Sequence, residues 1–444
     1  MIIIGNGKLI TLSSTPLDSA ADGIATEGDF IIDVGKTESL LADNPDSEFI
    51  DVNGAYIAPG FVDLHAHSRN VILLGAAIPR FASNERFRLF RDFLRPIEAA
   101  MMHDDAAALA YAYALRAIKN GVTSIFEHHS FPHHPSGSLH TVSSVFRECG
   151  LRACIGYEVS DRFGAWKATA AVKENAEFIE YCANLGISTV KSQFGLGSSL
   201  ELDDAMLEAC RNANTLNAPI HVHVGETQDG HLFCIRKYGK SPAQRLIDSG
   251  VVTPDSVFVC GAFTDKSDLE LIVENAYKAV ISPSMVSLLG GAYHYAFESA
   301  AADCQLLLGT DGLCGSMLEA GRTASHLFAL SGKPTSNCFL PAASMLFRAN
   351  PEAASSVFGR KLGVLETGAA ADIIALKTDL APRFNSEEAL LTSLISTGAE
   401  CTLTMVNGRV LMRNGELCDL DEGRISADLS ASIARLIPDT KHSC

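Results

Sequence analysis

The sequence predicts an α/β fold: a (β/α)8 TIM-like barrel with a small β-sandwich domain built from both chain ends. Eight short apolar runs alternate with amphipathic helical stretches, the order that places helices outside a parallel sheet. Several of those runs stop at His, Asp or Glu, and in such a barrel catalytic groups sit at the C-terminal ends of strands. The two termini instead carry short strand-like runs broken by Gly, Asn and Asp, the texture of a small β module.

Taken in order, the first segment holds MIIIG, KLITL, FIIDVG and AYIAPG, with a helical period only around Glu38–Ala42. The eight barrel strands are FVDLHAH (61–67), TSIFEHH (123–129), RACIGYEV (152–159), STVKSQFGLG (188–197), PIHVHVGE (219–226), SVFVCG (256–261), KAVISP (278–283) and QLLLGTDG (305–312). Helical patterns lie between them, for example at 101–119, 168–185, 201–216 and 265–276. Strand texture returns in ADIIALK (371–377) and CTLTMVNGRVLM (401–412), and the Asn414-Gly415 turn marks a hairpin. The expected division is a composite β-sandwich from 1–59 plus 361–423, a barrel over 60–360, and a surface helix with a frayed tail at 424–444.

Composition narrows the function. The 444 residues are 47% hydrophobic and 20% charged, as in an ordinary globular protein, and carry a net charge of −17. That charge argues against nucleic acid, which calls for a basic patch, and against an anionic membrane surface. No apolar run approaches the ~18–20 residues of a membrane span. MIIIGNGKLITL lacks a basic leader and reads as a first strand rather than a signal peptide. The twelve cysteines are scattered without a CxxC pair. Buried free thiols in a reducing cytoplasm account for them better than a disulfide framework.

Strand periodicity turns the polar strand ends into a site. His65 and His67 share one face of the first strand, as His221 and His223 share one face of the fifth. Glu226 falls at the end of the fifth strand, and Asp311 at the Gly-bounded end of the eighth. His65, His67, His223 and Asp311 offer three imidazoles and a carboxylate, a shell suited to one Zn²⁺ with a position left for water. Such a metal lowers the pKa of water toward neutrality. Asp311 could take the water proton, and Glu226 could carry a proton to the leaving group.

PGFVDLHAH, HVHVGE and LGTDG, followed by GVLETGAAADIIALK and MVNGRVL, together resemble the amidohydrolase superfamily over essentially the whole chain, and within it the cytosine-deaminase and chlorohydrolase branch. The resemblance implies one divalent metal (Zn²⁺, with Fe²⁺ or Mn²⁺ as substitutes) held at His65, His67, His223 and Asp311, with Glu226 as proton shuttle. It implies hydrolysis of a non-peptide C–N bond in a small nitrogen heterocycle, and a homodimer or higher homo-oligomer. Neither nucleic acid nor membrane is an expected partner.

The chain departs from that pattern in its substrate-facing positions. The family's strand-six histidine is replaced by Cys260, and the histidine often found at the end of strand four by Gly197. Cys260 is therefore expected at the metal pocket, either as packing left after activity decayed or as a recruited catalytic or metal-contacting group. Its loss of imidazole leaves room for hydrolysis of a cyclic amide or halide, or for an inactive metal-binding homologue. Cys314 follows Asp311 closely and is expected to share its neighbourhood. One of Glu127, His128 and His129 is expected to line the pocket. Lys191 would matter only in a two-metal site. His133 and His134 read as solvated, and Arg69 and Arg80 as surface arginines that could meet an anionic substrate.

Overall fold

The computed structural model describes residues 1–14, 18, 20–74, 88–291, 293, 297, 306–330, 338–378 and 386–437. Eight parallel strands form its centre: β1 (Phe61–Ala66), β2 (Val122–His129), β3 (Arg152–Tyr157), β4 (Val190–Ser192, resuming as Phe194–Ser198), β5 (Ile220–Val224), β6 (Val257–Cys260), β7 (Lys278–Ile281) and β8 (Leu306–Leu308). The first part of β4 closes a four-stranded sheet with β3, β2 and β1, and its second part opens a five-stranded sheet running to β8. At the far edges, the Asp311 N–H donates to the His65 carbonyl at 2.9 Å. Asn350 bridges the same seam, donating to the carbonyls of Val62 at 2.8 Å and Leu308 at 2.7 Å. The arrangement is TIM-barrel-like.

Between strands run helices where the pattern places them, including His103–Lys119, Ala165–Leu185, Asp204–Ala213 and Lys266–Glu274. Asp203 and Asp265 start the last two, each carboxylate accepting a backbone N–H of the first turn at 2.8 Å. Gly186, at φ 64°, ends the second in the left-handed region that suits glycine. Among the described residues no helix is long and apolar enough to cross a membrane.

The strands bury both faces. Val62, Leu64, Phe126, Val259, Val280 and Leu307 pack together inside. Val222, Val224, Phe258, Ala279 and Ile281 pack outward, in the large core shared with the helices.

Strands from the two chain ends pair directly. Tyr56–Pro59 lies antiparallel to Ile373–Lys377 in a six-stranded sheet that also holds Lys8–Leu9, Glu400–Val406, Arg409–Arg413 and Glu416–Leu417. A second sheet joins Phe30–Gly35, Gly23–Glu27, Ile2–Gly5 and Glu48–Asp51. Ile4, Ile24 and Ile31 of one sheet share a core with Ile57, Ile373 and Leu403 of the other. The hairpin expected at Asn414-Gly415 is present, with both residues at positive φ (54° and 80°). Glu387–Thr397 is a helix within the segment 361–423 assigned to the β-sandwich, started by the Ser386 side chain. Buried Arg152 on β3 ties this module to the central strands through an ion pair of 2.7 Å to Asp372. The helix Glu422–Leu436 follows, and the tail from 438 lies outside the described residues.

Candidate metal centre

The histidines of β1 and β5 meet inside. Alternation turns His221 and His223 inward on β5, and on β1 a register shift between Asp63 and Ala66 lets His65 and His67 face inward above Val62 and Leu64. The Nε2 of His223 lies 3.3 Å from the Nε2 of His65 and 3.3 Å from that of His67. All three residues are buried. A separation of about 3.3 Å is the edge of a tetrahedron whose arms are the ~2.0 Å of a zinc–imidazole bond.

Hydrogen bonds at the far sides of the rings orient these lone pairs. His67 Nδ1 lies 2.6 Å from the His128 carbonyl. Arg69 Nη1, which only donates, also lies 2.7 Å from Nδ1. In the tautomer that binds metal, Nδ1–H donates to the carbonyl, which only accepts, and Nε2 keeps its lone pair. His65 Nδ1 lies 2.8 Å from His221 Nε2, and His221 Nδ1 lies 2.9 Å from Gln193 Oε1. The amide nitrogen of Gln193 donates to the Glu127 carbonyl at 3.1 Å, which leaves Oε1 as acceptor. Protons then run from His221 to Gln193 and from His65 to His221, again freeing His65 Nε2. Burial foremost, then neighbouring positive groups, holds His65, His67, His128 and His221 well below the ordinary imidazole value of 6.5. Neutral imidazole is the form that binds metal.

Asp311 stands at the rim. Its backbone is left-handed (φ 59°), and Gly312 behind it has no room for a side chain, since a Cβ there would lie 1.9 Å from the His67 carbonyl. The turn brings Asp311 Oδ1 to 3.8 Å from His67 Nε2, while Asn70 Nδ2 donates to the same oxygen at 2.8 Å. Burial pushes the Asp311 carboxyl up to about 7, against the pull of His223 and Arg69. Below it, Asp63 accepts from the Thr310 N–H at 3.0 Å and from the Tyr113 hydroxyl, tying β1 to β8. Glu226 follows Gly225, whose φ of 65° and contact with Thr264 exclude a side chain. Burial raises the Glu226 carboxyl, opposed by His223 and reinforced by Glu201 and Glu158. A carboxyl so raised holds a proton nearer neutral pH and can donate it.

His128 completes the group. One ring nitrogen from each of His65, His67, His128 and His223 lies within 4.8 Å of the others, an arrangement that could hold a metal ion. Both nitrogens of His128 are buried without a hydrogen-bond partner. An unsatisfied imidazole beside three convergent lone pairs is what a cation would relieve, so the donor set fits a divalent metal. Asn70 and Gln193 support the centre without being expected there from the sequence, and His221 lies on the face it shares with His223.

Cys260 is not where it was expected. In register it stands opposite Val224 and Ile281, while His223 stands opposite Val259. Residues side by side in a parallel sheet share a face. The thiol therefore points into the helical layer, away from His223, with the Phe258 carbonyl 3.6 Å from its sulfur. Burial pushes the thiol well above its ordinary range. Cys314 contacts the Ser316 carbonyl at 3.4 Å, and burial pushes it up to about 12. Lys191 pairs with Cys154, level with Phe126 and two residues below His128.

The wall of the mouth on the β1–β4 side is charged, and Arg69 is part of it rather than on the surface. Its side chain pairs with Glu98 at 2.6 Å and Glu158 at 3.2 Å, and Arg162 pairs with Glu158 at 2.8 Å and Glu201 at 2.9 Å. Gly197 leaves the space that Glu201 Oε2 occupies, only 2.7 Å from where a Cβ would stand. His133 and His134 are exposed, as expected. Arg80 lies outside the described residues.

Residues 56–411 match the amidohydrolase family. The chain is 24% identical to the 5'-deoxyadenosine deaminase of Methanosarcina mazei, with 98% of each chain covered. It is 27% identical to the 5-methylthioadenosine/S-adenosylhomocysteine deaminase of Thermococcus onnurineus, covering 94% of this chain and 95% of that one. Its fold superposes on a zinc-bound adenosine deaminase from Xanthomonas campestris (TM-score 0.82, 20% identity, 98% of each chain). It also superposes on the zinc complex of atrazine chlorohydrolase TrzN from Arthrobacter aurescens (TM-score 0.80, 21% identity, 98% and 100% of the two chains). The chain belongs to the amidohydrolase family. It is a metal-dependent hydrolase of carbon–nitrogen bonds other than peptide bonds.

Proposed function

We propose that this enzyme deaminates a purine-type nitrogen heterocycle, with one divalent metal, zinc foremost, at His65, His67, His223 and Asp311. The observation that carries the reading is the convergence of three Nε2 lone pairs at 3.3 Å beside two carboxyls raised by burial. A divalent ion there would supply Lewis acidity at neutral pH. The residues would do the rest. Asp311 accepts the proton of the attacking water. Glu226 gives its proton to the ring nitrogen, regains one from the added hydroxyl as the carbonyl forms and passes it to the departing amine. The proton on Asp311 then returns to Glu226, so that water adds and ammonia leaves. Asn70 holds Asp311 at the angle this needs.

The substrate class follows the named activities of the relatives in Methanosarcina mazei and Thermococcus onnurineus. The same reading takes the eight strands as a closed barrel, the terminal sheets as a β-sandwich domain (1–59 plus 361–423), and the working form as a cytoplasmic homodimer or higher homo-oligomer. One observation favours a second chemistry: β6 turns Cys260 outward and presents no imidazole to the mouth. A good leaving group such as chloride needs less polarisation than an amine, and the chlorohydrolase likeness fits that case. Incubating the zinc-loaded enzyme with adenine nucleosides and with amino- and chloro-triazines separates the two. Ammonia release supports deamination, chloride release alone supports the second chemistry, and neither product from any of them contradicts both.

A further inference from the structure

We propose that His128 is an additional metal ligand, the fourth imidazole of the centre, contributed by β2. This rests on the reading that the site holds a divalent ion. Three independent observations point the same way. In register, Phe126 stands opposite Cys154 and His128 opposite Gly156. Phe126 and Cys154 pack in the interior, so His128 one pleat above them faces the interior as well. Its ring lies against His67 and His223, with centroids 5.4 and 4.9 Å away and planes within 26° and 27°. Both of its nitrogens are buried and unpartnered, a state native interiors avoid.

The backbone beside the ring is close: a Cβ at Gly195 would lie 2.4 Å from the Tyr157 carbonyl and 3.0 Å from His128 Cδ2. Any larger residue at Gly195 would press on the imidazole.

The neighbouring His129 sharpens the argument. Its nitrogens are also unpartnered, but it stands opposite Tyr157 on the outward face, beside Phe131 and 3.8 Å from Glu127. An unpaired imidazole alone therefore does not make a ligand; the direction of the side chain does. With Asp311, four imidazoles would give five protein donors, so the zinc proposed for this site would be five-coordinate rather than tetrahedral.

The test uses the full-length metal-free protein and Co²⁺ as the probe. X-ray absorption of the wild-type Co²⁺ complex should count four imidazoles, and a count of three overturns the assignment. His128→Phe keeps an aromatic ring in the stack and removes both nitrogens. Its Co²⁺ affinity by chelator competition should fall by more than the ~10–100-fold that loss of a merely supporting partner produces. His129→Phe should leave affinity unchanged. Wild-type affinity and visible spectrum in a folded His128→Phe variant overturn the proposal while leaving the metal reading intact. A wild-type chain that takes up no Co²⁺ overturns both.

Discussion

β5 and β6 are adjacent, parallel and in unbroken register from His221–Val257 to Val224–Cys260. One delivers His223 to the metal cluster, and the other delivers a thiol to the helical layer. The difference is one residue of parity. His223 sits one place before the last strand residue and Cys260 at the last place. Successive side chains alternate faces, so chemistry at a strand end depends on odd or even position as much as on residue type. Position along the strand, which aligned Cys260 with the family's histidine, is not enough.

The largest effect expected on the β5 side is that of His223→Ala. Removing one of three converging nitrogens should empty the centre, with metal analysis finding far less than one ion per chain and turnover falling to background. Full metal content in this variant would break the comparison. Glu226→Gln should keep the metal and lose about 10²–10⁴-fold in turnover. Unchanged turnover at full occupancy would remove Glu226 from the mechanism.

On the β6 side the effects belong to stability. Cys260→His forces a larger polar ring into packed apolar surroundings and should cost about 1–3 kcal/mol, as overpacking does, with no gain in ammonia release. Cys260→Ala should cost about 1 kcal/mol and leave turnover within a factor of about two of wild type, since a helix-facing thiol supplies no transition-state contact. Abolished turnover in Cys260→Ala would place the sulfur back at the site. Denaturant midpoints and steady-state rates measure both variants.

The last expected effect is a pH slope. Folding lowers the pKa of His65, His67, His128 and His221 below 6.5. Below that pH the unfolded chain binds protons that the folded chain refuses, so stability falls as pH falls. Each group contributes at most about 1.4 kcal/mol per pH unit. Thermal melts of the metal-free enzyme should therefore drop on going below pH 6.5, and a flat profile there would contradict the buried, neutral cluster.

Much of this was legible in the sequence. The eight strands, the intervening helices and the pairing of the two chain ends follow from apolar periodicity and turn residues. His65, His67 and His223 follow from period-two spacing at strand ends, and the structure brings them together. What escaped was parity on β2 and β6. Both faces of these strands are buried, so TSIFEHH and SVFVCG show no apolar–polar alternation to read. His128 could not be told from Glu127 or His129, nor Cys260 from an inward residue, without a paired neighbour of known orientation. Cys154, paired with Phe126 two residues before His128, is that neighbour for β2, and Val224 is the one for Cys260. The charged wall escaped for another reason: Arg69, Glu98, Glu201 and the Glu158–Arg162 pair come from segments far apart in the chain, and no local pattern joins them.

The most direct test of a single inward-facing metal centre is to strip the enzyme with chelator and restore it by titration with Zn²⁺, following ammonia release from an adenine nucleoside that the untreated enzyme turns over. Activity should be absent after stripping and rise linearly to a plateau at one ion per chain. Full activity in the stripped enzyme, or a plateau reached only at two ions, would contradict the account.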